Sequence, residues 1–172
     1  MISPPYVRGM AAYNAEMNRR VYAAAGRLSD AERRAERGAF WGSIHGTLSH
    51  LVWGDMNWMS RLAGRPKPAA VLKESAGMFA DFGTMQESRF ALDADISQWA
   101  KTVTDEWLAG TLIWFSGATQ REQTAPRALI LVHMFNHQTH HRGQAHAMVT
   151  AAGQDIGDTD LPFILPPSVF AG

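Results

Sequence analysis

Apolar residues recur at three- and four-residue steps in four separate stretches of this 172-residue chain. Each stretch ends where glycine, proline or a run of charge breaks the period. Such spacing puts an apolar stripe on a helix, and the stripe must be buried against another element. The first stretch runs from about Pro4 to Gly26, with Tyr6, Met10, Tyr13, Met17 and Val21 on one face. The second runs from about Ser43 to Ala63, with Ile44, Leu48, Leu51, Trp58 and Leu62 toward a core. Gly64, Pro66 and Pro68 stop it. The third covers about Gly83 to Val103, where Phe82, Met85, Leu92, Ile96, Trp99 and Val103 repeat. The fourth begins near Thr124, a candidate N-cap with Pro126 in the first turn, and ends before Gly153. Four such segments predict an all-α fold, a four-helix bundle, in one domain over 1–172.

The connectors carry less signal. Ser29, Asp30 and the charged AERRAER run leave room for a helical turn. Between Leu108 and Gln123, TLIWFS and ATQREQ flank Gly117 and predict a short β-hairpin before the last helix. The tail from Gln154 has prolines and glycines but no period, and is expected to drape over the bundle.

Composition narrows the function classes. Lys plus Arg equals Asp plus Glu at 16 each. That balance argues against broad electrostatic capture of nucleic acid or anionic lipid. The chain has no cysteine, so it offers no disulfide, thiolate metal site or cysteine nucleophile. No apolar run approaches the roughly 18 residues of a membrane span. The opening MISPPYVRGMAAYNAEMNRR interrupts any signal-like apolar core with Asn, Glu and Arg, so a cytoplasmic location is the default expectation.

The chemistry concentrates in HMFNHQTHHRGQ, His133 to Gln144, on the fourth helix. At about 100° per residue, Ile130, Met134, Met148 and Ala152 form one narrow stripe, and His137 and His141 sit in its middle. His133 and His140 lie on its shoulder and His146 on the opposite, solvent-facing side. An i, i+4 pair puts two imidazoles about one turn apart, close enough to converge on one ion. The competing reading is a pair of core histidines satisfied by hydrogen bonds. A third ligand would come from another helix, and His50 is the best candidate. Gly46 and Gly54 lie one turn to either side of it, with Ser43, Asn57 and Arg61 further along that face. The glycines leave open space beside the imidazole, or else serve close helix packing. His45 points more than about 120° away from His50 and reads as surface or connector.

These segments resemble the DinB/YfiT-like superfamily. GTLSHLVWGDMNWMSRLAG on the second helix matches one signature, and HMFNHQTHHRGQ on the last matches another, a histidine, three residues, then His-Arg-Gly-Gln. The resemblance reaches about Gly153. It implies a four-helix bundle with a long crossover, a metal site of His50, His137 and His141, and often a homodimer; by ligand softness, three imidazoles suit a divalent ion such as Zn, Ni, Fe or Cu. Some relatives are transferases or isomerases that use a low-molecular-weight thiol; others have no known activity. Asp55 matches the family's acidic position but lies about 140° from His50 on the helix. It is therefore expected to pair with Arg142 or a neighbouring helix rather than to ligate. Gln144 shares the face of His137 and His141 and is expected to support or touch a ligand. Tyr13 is read as core or as reaching the pocket from the first helix, and Trp53 and Trp58 as packing or pocket walls. A second apolar face on the last helix, Ala128, Val132 and Phe135, is expected to meet a dimer partner or the tail.

Three neutral imidazoles leave a coordination position open, as catalytic sites do. The leading expectation is a metal-dependent, thiol-linked transferase acting on a small molecule. A metal-dependent hydrolase is second, and a non-catalytic metal- or ligand-binding stress protein is the competing class.

Overall fold

The computed structural model describes residues 1–117 and 119–170. Its long helices are α1 (Pro4–Gly26), α3 (Ile44–Leu62), α4 (Phe82–Ala100) and α6 (Arg127–Ala151). Short helices α2 (Asp30–Arg34), α5 (Asp105–Ala109) and α7 (Leu161–Ile164) lie in the connectors and tail. Side chains start three of the four long helices: Ser3 caps Tyr6, Ser43 caps Gly46 and Asp81 caps Thr84 at their backbone N–H groups. In α2 Ser29 and Glu32 form a capping box.

The four long helices form a bundle in which α1 and α3 each pack against both α4 and α6. Helices α1 and α3 therefore occupy opposite corners, and residues 27–43 cross between them. Strands β1 (Thr111–Ser116) and β2 (Arg121–Pro126) form an antiparallel hairpin that leads into α6. The strand register pairs Thr124 with Ile113 and Thr111 with Pro126. Thr124 is thus committed to the ladder and does not cap α6, whose N-cap is Pro126, two residues later than expected. The third helix likewise ends at Ala100, although Val103 remains buried beyond it.

The core is built in layers. One apolar cluster joins Met17, Val21, Leu48, Leu51, Met85 and Met148. A second joins Val7, Ala11, Met59, Ile96, Leu131 and Met134. Along each helix the residues between the clusters are polar and buried: Asn14 and Asn18 on α1, Asp55 on α3, Arg89 and Asp93 on α4, Gln138 and Arg142 on α6. The periodicity read for α1 marks the flank of its buried face, because Tyr6, Met10 and Tyr13 are only half-buried. Its centre runs through Val7, Asn14, Asn18 and Val21. The second apolar face of α6 is covered within the chain: Phe135 is buried and meets Tyr6 edge-on. The tail follows α1, where Tyr13 donates to the carbonyl of Thr159 at 2.6 Å and Arg27 to that of Asp155 at 2.9 Å. Among the described residues, no helix is long and apolar enough to cross a membrane.

Candidate metal centre

Helices α3 and α6 bring His50, His137 and His141 together. One nitrogen from each lies within 4.8 Å of the other two. The Nε2 atoms of His50 and His137 are 3.1 Å apart. Two imidazole nitrogens on one ion at about 2.0–2.1 Å, with an interligand angle near 95–110°, stand roughly 2.9–3.4 Å apart. The observed separation fits that requirement.

The glycines beside His50 explain the approach. A Cβ on Gly54 would lie 2.8 Å from His137 Cε1, and one on Gly46 would lie 2.4 Å from the Trp41 carbonyl oxygen. The space expected beside His50 is therefore taken by His137 on one side and by the 41–43 backbone on the other.

Hydrogen bonds orient the rings. His50 Nδ1 lies 2.9 Å from the Ser75 hydroxyl, and His141 Nδ1 lies 2.8 Å from Gln144 Oε1. An amide oxygen only accepts, so His141 carries its proton on Nδ1 and leaves the Nε2 lone pair free. The Ser75 hydroxyl can accept from His50 in the same way. His137 Nδ1 is buried without a partner. In His50 and His141 the outer nitrogen is held and the inner one faces the cluster, as in metal-binding histidines; His137 lacks that outer partner.

The electrostatics agree. Burial pushes the His50 imidazole down to about 3, helped by His137 and His141. Burial and neighbouring histidines push His137 down to about 4. His141 is also lowered by burial, against its bond to Gln144. No carboxylate contributes to any of the three. The cluster is neutral at pH 7, and an ion within it would keep its full positive charge.

Aromatic rings wall the site. Trp41 stacks on His50 with ring centroids 3.9 Å apart, and Trp53 stacks beside it at 5.6 Å while donating to the Ala70 carbonyl. Trp58 meets His133, 5.1 Å away, edge to face. The other histidines stay outside the triad: His133 and His140 are exposed and His146 is half-buried. His45 does not lie on the surface. It is 2% exposed, and its Nε2 lies 2.8 Å from the Phe79 carbonyl, because the connector after α3 folds back over that side of the helix.

Asp55 has the structural role expected, with a different partner from Arg142. Arg89 donates to Asp55 at 2.6 Å and to Asp93 at 2.7 Å, and Gln138 donates to the same Asp55 oxygen at 2.8 Å. Arg142 is buried near this network with Nη1 unpaired, its guanidinium over the Tyr13 ring. Trp41, Ser75 and Arg89 were not singled out from sequence. Trp41 and Ser75 lie in connectors with no period, and a buried arginine reads as a surface charge.

The sequence model of the DinB family matches residues 3–167. The chain belongs to the DinB family. The fold agrees with solved structures related to that family. YfiT from Bacillus subtilis, described as a probable metal-dependent hydrolase with an unusual four-helix bundle topology, superposes with a TM-score of 0.66 at 17% identity, over 90% of this chain and 92% of that one. A DinB-like protein from Bacillus cereus superposes with a TM-score of 0.61 at 18% identity, over 83% and 89% of the two chains. No curated protein matches the sequence.

Proposed function

We propose that this DinB-family chain is a divalent-metal-dependent enzyme that holds one Zn, Ni or Fe ion through His50, His137 and His141 and carries out thiol-linked group transfer on a small molecule. The convergence of three neutral imidazoles from two helices carries the reading. A single proton shared between the His50 and His137 Nε2 atoms, 3.1 Å apart, leaves the other inner nitrogens without a partner, and burying them is costly unless something shares their lone pairs. A bound divalent ion would supply Lewis acidity, lowering the pKa of a thiol or water that joins it or polarising a carbonyl.

The protein's own part is positional. His50 and His141 are held by Ser75 and Gln144, and Trp41 shields one face of His50 from water. The chain has no cysteine, and no carboxylate acts on the triad. Since the chain has no cysteine, a thiol nucleophile would have to arrive as a co-substrate. A hydrolase is the second reading, favoured by the description of YfiT.

Elemental analysis of dialysed protein tests the metal: about one ion per chain is expected, with large losses in His50→Ala and His137→Ala. Thiol-dependent turnover that disappears in His137→Ala supports transfer. Turnover without thiol moves the reading to hydrolysis, and turnover unaffected by His137→Ala defeats both.

A further inference from the structure

Arg61 stands on the same face of α3 as His50, Gly54 and Asn57. It is half-buried, yet it makes no hydrogen bond or ion pair among the described residues. Arg20, Arg33 and Arg127, also half-buried, bond the Glu16 carboxylate, the Leu28 carbonyl and the Trp107 carbonyl respectively. Half-buried Arg8 and buried Arg142 lack such bonds too; Arg61 differs from both in standing beside two indoles. Burial alone shifts the Arg61 guanidinium, downward, and no carboxylate counters it. Its Cζ sits 4.6 Å from the centre of the Trp58 ring and 5.9 Å from that of Trp114. The two indoles are themselves 5.9 Å apart, edge to face. The indoles hold the guanidinium carbon in place, and its N–H groups have no partner among the described residues, which leaves them able to meet a planar anion.

The place of this cluster relative to the triad gives it a use. Trp58 meets the exposed His133 ring at 5.1 Å, and His133 lies 6.0 Å from His137. A line of rings thus leads from the triad to Arg61. Arg61 leans back over Trp58, which is eight residues beyond His50, so the guanidinium stands roughly 12 Å along the helix from the triad. Asn57, 8% exposed on the same face of α3, has a buried Oδ1 with no partner.

We infer that Arg61, framed by Trp58 and Trp114, binds the carboxylate end of an elongated small molecule whose reacting end lies at His50, His137 and His141. The inference rests on the metal-enzyme reading for that last clause; the carboxylate subsite itself does not need the ion. One guanidinium between flat apolar walls suits a monoanionic carboxylate attached to a planar or apolar body. A phosphate dianion would call for more cations than this cluster holds.

The test uses metal-free, 15N-labelled full chain titrated with 2-naphthoate and, separately, with uncharged 2-naphthamide. Naphthoate should saturably shift the Trp58 and Trp114 indole N–H signals and bind at least tenfold more tightly than the amide. Arg61→Gln should erase that preference and Arg61→Lys keep part of it, with the remaining spectrum unchanged. Equal affinity for acid and amide, or naphthoate binding unaffected by Arg61→Gln, would show an arginine that only packs on indole, and would overturn the proposal. So would a titration that leaves Trp58 and Trp114 unmoved. His137→Ala should keep the carboxylate preference, so failure of the subsite and failure of the metal site are read separately.

Discussion

Replacing Gly54 by alanine should separate the site from the fold. Gly54 lies in the middle of α3, where alanine is favoured over glycine by about 1 kcal/mol. Its φ is not positive, so the backbone accepts a side chain without strain. The added Cβ would stand 2.8 Å from His137 Cε1 and 3.5 Å from Nδ1. Carbon atoms in ordinary contact are about 3.5–4.0 Å apart, so the imidazole must retreat by roughly 0.7 Å or more. The ring is the far end of a flexible side chain, and the fold can absorb that movement. A metal ligand cannot, since ligand distances hold within about 0.2 Å. Metal affinity should fall at least about tenfold, the lower end of what disturbing a ligand's support costs. The melting temperature of the metal-free protein should stay level or rise. Calorimetric titration with Zn or Ni, beside a thermal melt of the same sample, measures both. Unchanged metal affinity in a folded Gly54→Ala protein would refute the assignment of His137 as a ligand.

Other perturbations probe the surroundings. Arg89→Met leaves Asp55 and Asp93 buried without their shared cation, and should cost about 3–5 kcal/mol, roughly 6–20 °C in Tm for a chain of this size; a loss near zero in a thermal melt would contradict the ionic account. Ser75→Ala removes the hydroxyl facing His50 Nδ1 and should weaken metal binding about 10–100-fold with little change in melting, which the same titration measures. His50 and His137 are depressed to about 3 and 4 in the fold, against about 6.5 in the unfolded chain. The unfolded state therefore takes protons first, so metal-free stability should hold above about pH 6.5 and decline as pH falls toward 3–4. Melts across that range should show a shallower decline in His50→Gln; equal slopes would mean that the ring is not held neutral.

The helices were legible in the sequence because their apolar period is strong, and the triad because His137 and His141 interrupt an apolar stripe at a spacing that only a helix makes useful. What stayed hidden lies where one-dimensional patterns carry no information. Trp41 reaches His50 from a connector, and Ser75 does so from the 3-10 turn Leu72–Gly77. His45 was placed correctly by angle, away from His50, but its burial depends on where the following connector lies. The start of α6 was misplaced because Thr124 is a good cap only until a strand claims it; cross-strand pairing is not visible from the capping residue itself. Asn14, Asn18 and Arg89 give no sequence signal because polar residues break the apolar count, though they mark the centre of the bundle.

That polar layer bears on why the site forms at all. Apolar side chains interdigitate in several registers, and two helices packed by them alone could slip by about one turn, 5.4 Å, at modest cost. In this bundle such a slip of α3 against α6 would separate Gln138 from Asp55 and leave the carboxylate short of a partner. It would also separate His50 from His137. The two events are tied because Gln138 directly follows His137, and Asp55 stands on the same rigid helix as His50, little more than one turn beyond it. A buried ionic layer is weak evidence for stability, since its desolvation offsets much of its attraction. As a device for register it has a clear effect: only one alignment of α3, α4 and α6 satisfies Arg89, Asp55 and Gln138 together, and that alignment places three imidazoles within reach of one ion.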